Sequence, residues 1–174
     1  MVTTSGLEAE LHRIAGSVPD PELPVLTLAD LGILRGLRVL APGRVEVELT
    51  PTYTGCPAIE AMSADVRQAL HEHGIPEVTV RTVLSPPWTT DAISAEGRRK
   101  LAEFGIAPPR PGGGATADGS TSDGGPVAVD LAIRCPRCGS TDTTLLSRFS
   151  STVCKALRRC ASCQEPFDHF KELT

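Results

Sequence analysis

CPRCGSTDTTLLSRFSSTVCKALRRCASC, residues 135–163, holds five of the six cysteines of the 174-residue chain. Cys135/Cys138 and Cys160/Cys163 are two Cys-x-x-Cys pairs with 21 residues between them. At that spacing each pair makes a tight knuckle with both sulfurs turned inward, so four thiolates can close a tetrahedron around a soft cation. Gly139 supplies the positive φ that such a knuckle needs, and Pro136 stiffens it. A short module with little apolar core needs a staple of this kind, because metal binding contributes directly to folding. The expected ligand is Zn, or an iron-sulfur cluster on the same four cysteines, since both accept four thiolates. Cys154 has three readings: a buried thiol, a substitute for one of the four, or part of an iron-sulfur site. Buried thiol is the favoured one.

Disulfides and a redox dithiol are the competing uses of these cysteines; the first require an oxidising compartment, and the second calls for one Cys-x-x-Cys opening a helix where this chain has two pairs flanked by strand-like runs. The opening MVTTSGLEAELHRIAG shows no basic stretch followed by an apolar run, so a cytoplasmic metalloprotein is expected. No apolar run approaches the roughly 20 residues of a membrane span, and no membrane partner is expected. Residues 1–130 carry 10 basic against 17 acidic residues, a balance of −7, while residues 131–174 carry 7 against 4, a balance of +3. A basic tail on an acidic body suits docking on an acidic partner or on the body itself. Aromatic residues make up only 3% of the chain, too few for a base-stacking surface, so nucleic acid is not the expected partner. Arg134, Arg137, Arg148, Lys155, Arg158 and Arg159 keep a nucleic-acid-binding ribbon as an alternative.

Upstream of the tail the pattern is α+β. Ser5-Gly6-Leu7-Glu8 is a capping box, and Leu7, Leu11, Ile14 and Ala15 follow it at helical spacing up to Gly16. His12 falls on the polar side. Pro19-Asp20-Pro21-Glu22-Leu23-Pro24 must be an extended loop because three prolines fix φ and remove donors; Asp20 and Glu22 lie on it, and a solvated loop is the favoured reading. Thr27 to Asp30 is a capped turn ending at Gly32. Residues 33–40 and 44–50, separated by Ala41-Pro42-Gly43, form an antiparallel hairpin. A helix reaching His73 follows Cys56-Pro57, a strand covers 77–84, and Trp88 leads into a helix whose apolar positions are Ile93, Leu101 and Phe104.

Pro57 suits the first position of its helix, which leaves Cys56 at the cap. There its thiolate is favoured by free N–H groups and the positive end of the dipole, so an exposed, reactive thiol is expected, with a buried structural cysteine as the equal alternative. Gly55 allows close approach, and Thr50, Thr52 and Thr54 ring the same mouth. Residues 107–126, rich in Gly, Pro, Ser and Ala, lack anything to bury and are expected to be a flexible linker. The domain expectation is a small helix-flanked mixed-sheet domain over 1–106, the linker over 107–126, and a four-cysteine ribbon over 127–174. Its strands are expected at 127–133, 145–149 and 167–173.

DPELPVLTLADLGIL (20–34) and TPTYTGCPAIEAM (50–62) resemble the α+β domain of the iron-sulfur cluster assembly family that includes the SufT proteins. With PPWTTD (86–91), GIAPP (105–109) and STVCKALRRCASCQEPFDHFKEL (151–173), the chain resembles the PaaD family, the D components of bacterial ring-1,2-phenylacetyl-CoA epoxidase systems. The resemblance implies a non-catalytic accessory protein that matures or repairs the iron-sulfur or di-iron centres of a multisubunit oxygenase. Its partners would be the other epoxidase subunits, the iron-sulfur reductase or the di-iron oxygenase in particular, with a homodimer as a further option. Carried over residue by residue, the resemblance makes Cys56, with Asp20 and Glu22, the cluster- or metal-handling residues, holding iron or a cluster transiently. A purely structural scaffold is the alternative.

Overall fold

A computed structural model describes residues 4–110 and 133–172. The body opens with α1 (Thr4–Gly16), whose Leu11, Ile14 and Ala15 are buried as the spacing predicts. The helix begins at Thr4, ahead of the expected cap at Ser5, whose side chain lies outside the described residues. His12 is exposed. The proline-rich loop then returns to the core through Leu23 and Leu26, and Pro19 bridges to Thr27.

A single turn, α2 (Leu28–Leu31), carries the predicted cap in full: the Thr27 hydroxyl accepts from the Asp30 N–H while the Asp30 carboxylate accepts from the Thr27 N–H. Gly32 ends the turn at φ 66°, where a Cβ would sit 2.4 Å from the Ala92 carbonyl oxygen, so both conformation and packing require glycine. β1 (Leu34–Ala41) and β2 (Arg44–Leu49) form the expected hairpin. After α3 (Ala58–Glu72), β3 (Glu77–Thr82) pairs with β2 in parallel, the α3 crossover making that direction possible. The result is a mixed three-stranded sheet in the order β1-β2-β3. Val45, Val47 and Leu49 face the helices and are buried, while Glu46 and Glu48 point outward and pair with Arg38.

Residues Thr90–Ala92 form a 3₁₀ turn ahead of α4 (Ala95–Glu103), capped by Ser94. Lys100 of α4 reaches Asp30 at 2.7 Å, locking α4 to the α2 cap. Ile93 and Leu101 are buried as expected, but Phe104 is exposed, because the helix ends one residue earlier and the chain turns at Gly105.

β4 (Ile106–Ala107) straddles the expected end of the body and joins the tail's sheet. That sheet has the order β4-β7-β6-β5, with β5 (Thr143–Ser147), β6 (Lys155–Cys160) and β7 (Pro166–Phe170). β6 was not anticipated, since its sequence Lys-Ala-Leu-Arg-Arg-Cys does not alternate. Its central position follows from antiparallel pairing with both neighbours. Residues 111–126 of the expected linker and 127–132 of the first expected ribbon strand lie outside the described residues; Ile133 is in a loop.

The tail is not separate from the body. Phe170 and Cys154 are buried in the same apolar cluster as Leu23, Leu31, Ile33, Met62 and Trp88. A smaller cluster of Ala107, Ile133, Cys135, Cys160 and Phe167 sits under the four-cysteine end. No helix among the described residues is long and apolar enough to cross a membrane.

Candidate functional site

In the tail, Cys135 and Cys138 lie on a turn before β5, Cys160 ends β6, and Cys163 lies on the turn before β7. Each turn closes through its own backbone. Gly139, at φ 75°, donates to the Cys135 carbonyl, and Cys160 Sγ accepts from the Cys163 N–H. The sulfurs of Cys135 and Cys163 are 3.8 Å apart, those of Cys138 and Cys160 3.5 Å, and all four lie within 4.8 Å of one another. A tetrahedral Zn with bonds of about 2.3 Å has sulfur–sulfur edges of about 3.8 Å, so the donor set fits. The Cys160 thiol is drawn down to about 6, first by the Cys163 N–H. At Cys138 the Ser140 N–H favours the thiolate, yet the neighbouring thiols, Cys160 first, push it up to about 12. Four thiols this close cannot all ionise without a cation among them, and a metal ion removes that conflict. Cys154 is not one of the four.

A second group of acids surrounds the N-terminal end of α3. Asp20 is buried, with Oδ1 accepting from the N–H groups of Glu22 at 2.8 Å and Leu23 at 2.7 Å. This local turn points the carboxylate inward, so the solvated-loop reading does not hold for Asp20. Burial raises its pKa against the pull of those two N–H groups. Half-buried Glu22 is raised by burial and then by Asp20. Cys56 and Cys154, each 6% exposed, lie in the wall of the same cavity as Asp20 and Glu22. The cavity has room for little more than one water-sized atom.

Cys56 departs from the expectation of an exposed thiolate. Pro57 is the helix cap and Ala58 the first helical residue, so Cys56 sits one place further out than predicted. Burial pushes its thiol up, and the Glu22 and Asp20 carboxylates add to this; the Ala58 N–H pulls the other way and is outweighed. The loop at 20–23 and the tail cover the helix end that sequence reasoning left open to solvent. Cys154 is likewise raised by burial, and its Sγ is 3.7 Å from Thr52 Oγ1. Tyr53 beside them is pushed up to about 12, by burial first and then by the two thiols. Sequence reasoning missed the pairing of Cys154 with this site, because it lies 98 positions beyond Cys56 and only the docking of the tail brings them together.

Beside this cavity lies an open cleft of about 250 Å³ whose lining includes Thr50, Thr52, Thr54 and Trp88. The three threonines share this cleft and not the mouth of Cys56 that was expected for them: only Thr52 also lines the Cys56 cavity. Trp88 caps the core, donating from Nε1 to the Leu31 carbonyl at 2.7 Å, and also lines the cleft.

Comparisons with known proteins follow this two-part layout. Residues 13–85 match the iron-sulfur cluster assembly protein family, and residues 119–171 match the PaaD zinc beta ribbon domain. The chain is 45% identical over 162 residues to an Escherichia coli K12 protein named for the D component of 1,2-phenylacetyl-CoA epoxidase, covering 93% of this chain and 91% of that one. It is 34% identical over 95 residues to an Fe-S protein maturation auxiliary factor of Porphyromonas gingivalis, covering 54% of this chain and 90% of that protein. A crystal structure of a DUF59 domain from Bacillus anthracis superposes with a TM-score of 0.53 at 25% identity, over 56% of this chain and 93% of that one.

Proposed function

The chain belongs to the PaaD family, that of the D component of 1,2-phenylacetyl-CoA epoxidase, and on that premise we propose that it is an accessory factor rather than a catalyst. It helps to assemble, mature or repair the metal centres of a phenylacetyl-CoA epoxidase complex, the iron-sulfur reductase or the di-iron oxygenase being the client. The observation that carries this reading is the convergence of Cys56, Asp20 and Glu22 on one cavity within the segment that matches the iron-sulfur cluster assembly family. A thiol with few partner ligands holds iron or a cluster loosely enough to pass it on. Among the described residues no imidazole lines that cavity, so the thiol has no neighbouring base of the kind that thiol enzymes use.

In this reading the four tail cysteines hold a Zn that fixes the ribbon. The ribbon docks the protein on its client: Leu145, Leu146, Phe149 and Val153 are exposed along the β5 side of the sheet and flanked by Arg148 and Arg159. That surface also suits a pure scaffold, the second reading, in which Cys56 is inert. Co-expression of the epoxidase subunits with wild-type chain or Cys56→Ser separates the two. The maturation reading expects a severalfold lower iron content in the client with Cys56→Ser while the folded accessory chain persists. Full client iron and activity with that variant would leave only the scaffold.

A further inference from the structure

Cys154 gives the body cavity a second thiol that comes from the tail. It immediately precedes β6, and its carbonyl accepts from the Lys171 N–H at 2.9 Å beside Phe170, which is buried in the body's apolar cluster. Its position against Thr52 is therefore set by tail docking. Three elements meet at the cavity: the loop carrying Asp20 and Glu22, the turn carrying Thr52 and Cys56, and the tail with Cys154. Among the described residues no guanidinium or ammonium lines it. The neighbouring Lys155 ammonium pairs with Asp168 at 3.0 Å and acts on Glu22 from outside the lining. Two thiols and two carboxylates therefore line one small cavity, side chains of the types that ligate metals and that a bound cation would draw together.

We propose that Cys56 and Cys154, with the Asp20 and Glu22 carboxylates, form a site for one divalent transition-metal ion, so that the tail completes a site begun by the body. Two sulfurs and two carboxylate oxygens are a borderline donor set, matched to iron(II), cobalt(II) or zinc and not to calcium or magnesium. The size of the cavity selects a single ion; a cluster of several iron and sulfide atoms has no room while the tail is docked. The four donors are looser than those of the tail, whose cysteines are the described group drawn within 4.8 Å. Binding must therefore pull the side chains inward, as suits an ion held for delivery. Each ion that binds replaces the two thiol protons, which pass to solvent. The proposal rests on the maturation reading only for the choice of iron as the natural cargo.

The test uses the full-length, reduced chain under anaerobic conditions, first loaded with one equivalent of zinc. Zinc occupies the four-thiolate tail and outcompetes cobalt there, so cobalt(II) added next reports the second site. The expected result is one further cobalt per chain with a thiolate-to-metal absorption band. Cys154→Ser and Cys154→Ala should cut that band by about half and weaken binding about tenfold or more. Zinc content, far-UV circular dichroism and Trp88 emission should stay unchanged, showing that the tail is still docked. Absence of a second cobalt, an unaltered band in the docked Cys154 variants, or a Cys56–Cys154 disulfide in place of two free thiols would overturn the proposal. Client iron content is read separately. If it depends on Cys56 while no second cobalt binds, the site fails and the function stands; a cobalt site with no effect on the client gives the reverse.

Discussion

The rings of Trp88 and Phe170 lie 6.3 Å apart at an interplanar angle of 53°, one from the body and one from the last strand of the tail. This tilted contact, with Phe170 1% exposed, fastens the ribbon over the cavity of Cys56. Truncation of Phe170 to alanine should cost roughly 3–5 kcal/mol, the usual range for a buried aromatic. Because Trp88 is the single tryptophan, its emission reports the loss directly. Phe170→Ala is expected to red-shift that emission and to expose Cys154 to alkylation; unchanged emission would mean that the tail is not held by this contact.

Removal of the tail metal should unfold the tail and spare the body. The ribbon's own cluster is small, Ala107, Ile133, Cys135, Cys160 and Phe167, whereas α1, α3 and the three-stranded sheet bury a larger core to which residues 133–172 add only Cys154 and Phe170. Cys160→Ser, or chelation of wild type, is expected to abolish metal in the tail while helical circular dichroism is largely kept. Cooperative loss of all helical signal on chelation would instead show that the body depends on the metal.

His169 predicts an acid limb of stability. It is buried in β7 with Nε2 unpartnered, and burial, followed by the charges of Arg158 and Arg110, lowers its pKa from 6.5 to about 4. Between those values the unfolded chain takes up a proton that the folded chain refuses, so stability falls as pH drops from 6.5 towards 4. The contribution is roughly 2–3 kcal/mol across the window. Denaturant unfolding of wild type and His169→Leu at pH 7 and pH 5 isolates it. Wild type should lose more stability than the variant on acidification, and equal losses would show that His169 already titrates normally.

Much of this was readable from residue order, and the part that was not has a single cause. Two Cys-x-x-Cys pairs, the Thr27/Asp30 cap, the Pro42-Gly43 hairpin and the Cys56-Pro57 helix start are local signals, and each appears in the fold within a residue or two. The exposure of Cys56 was misjudged because the helix dipole is a local property whereas burial is set by whatever packs on top. Here that is the loop of Asp20 and the tail of Cys154 and Phe170, 102 positions beyond Thr52 in the case of Cys154. β6 escaped notice for the same reason: its ladder partners, not its own pattern, make it a strand.

The central claim, that this chain hands metal to an epoxidase subunit through the cavity of Cys56, is tested most directly by transfer. Chain loaded anaerobically with iron-57 and freed of unbound metal is mixed with iron-depleted client subunits in the presence of a chelator, and the isotope is then followed by Mössbauer spectroscopy of the re-isolated client. The account predicts that iron-57 enters the client's own centre from wild-type chain and that Cys56→Ser delivers little or none. Equal loading of the client from wild type, from the variant and from free iron at the same concentration would contradict it.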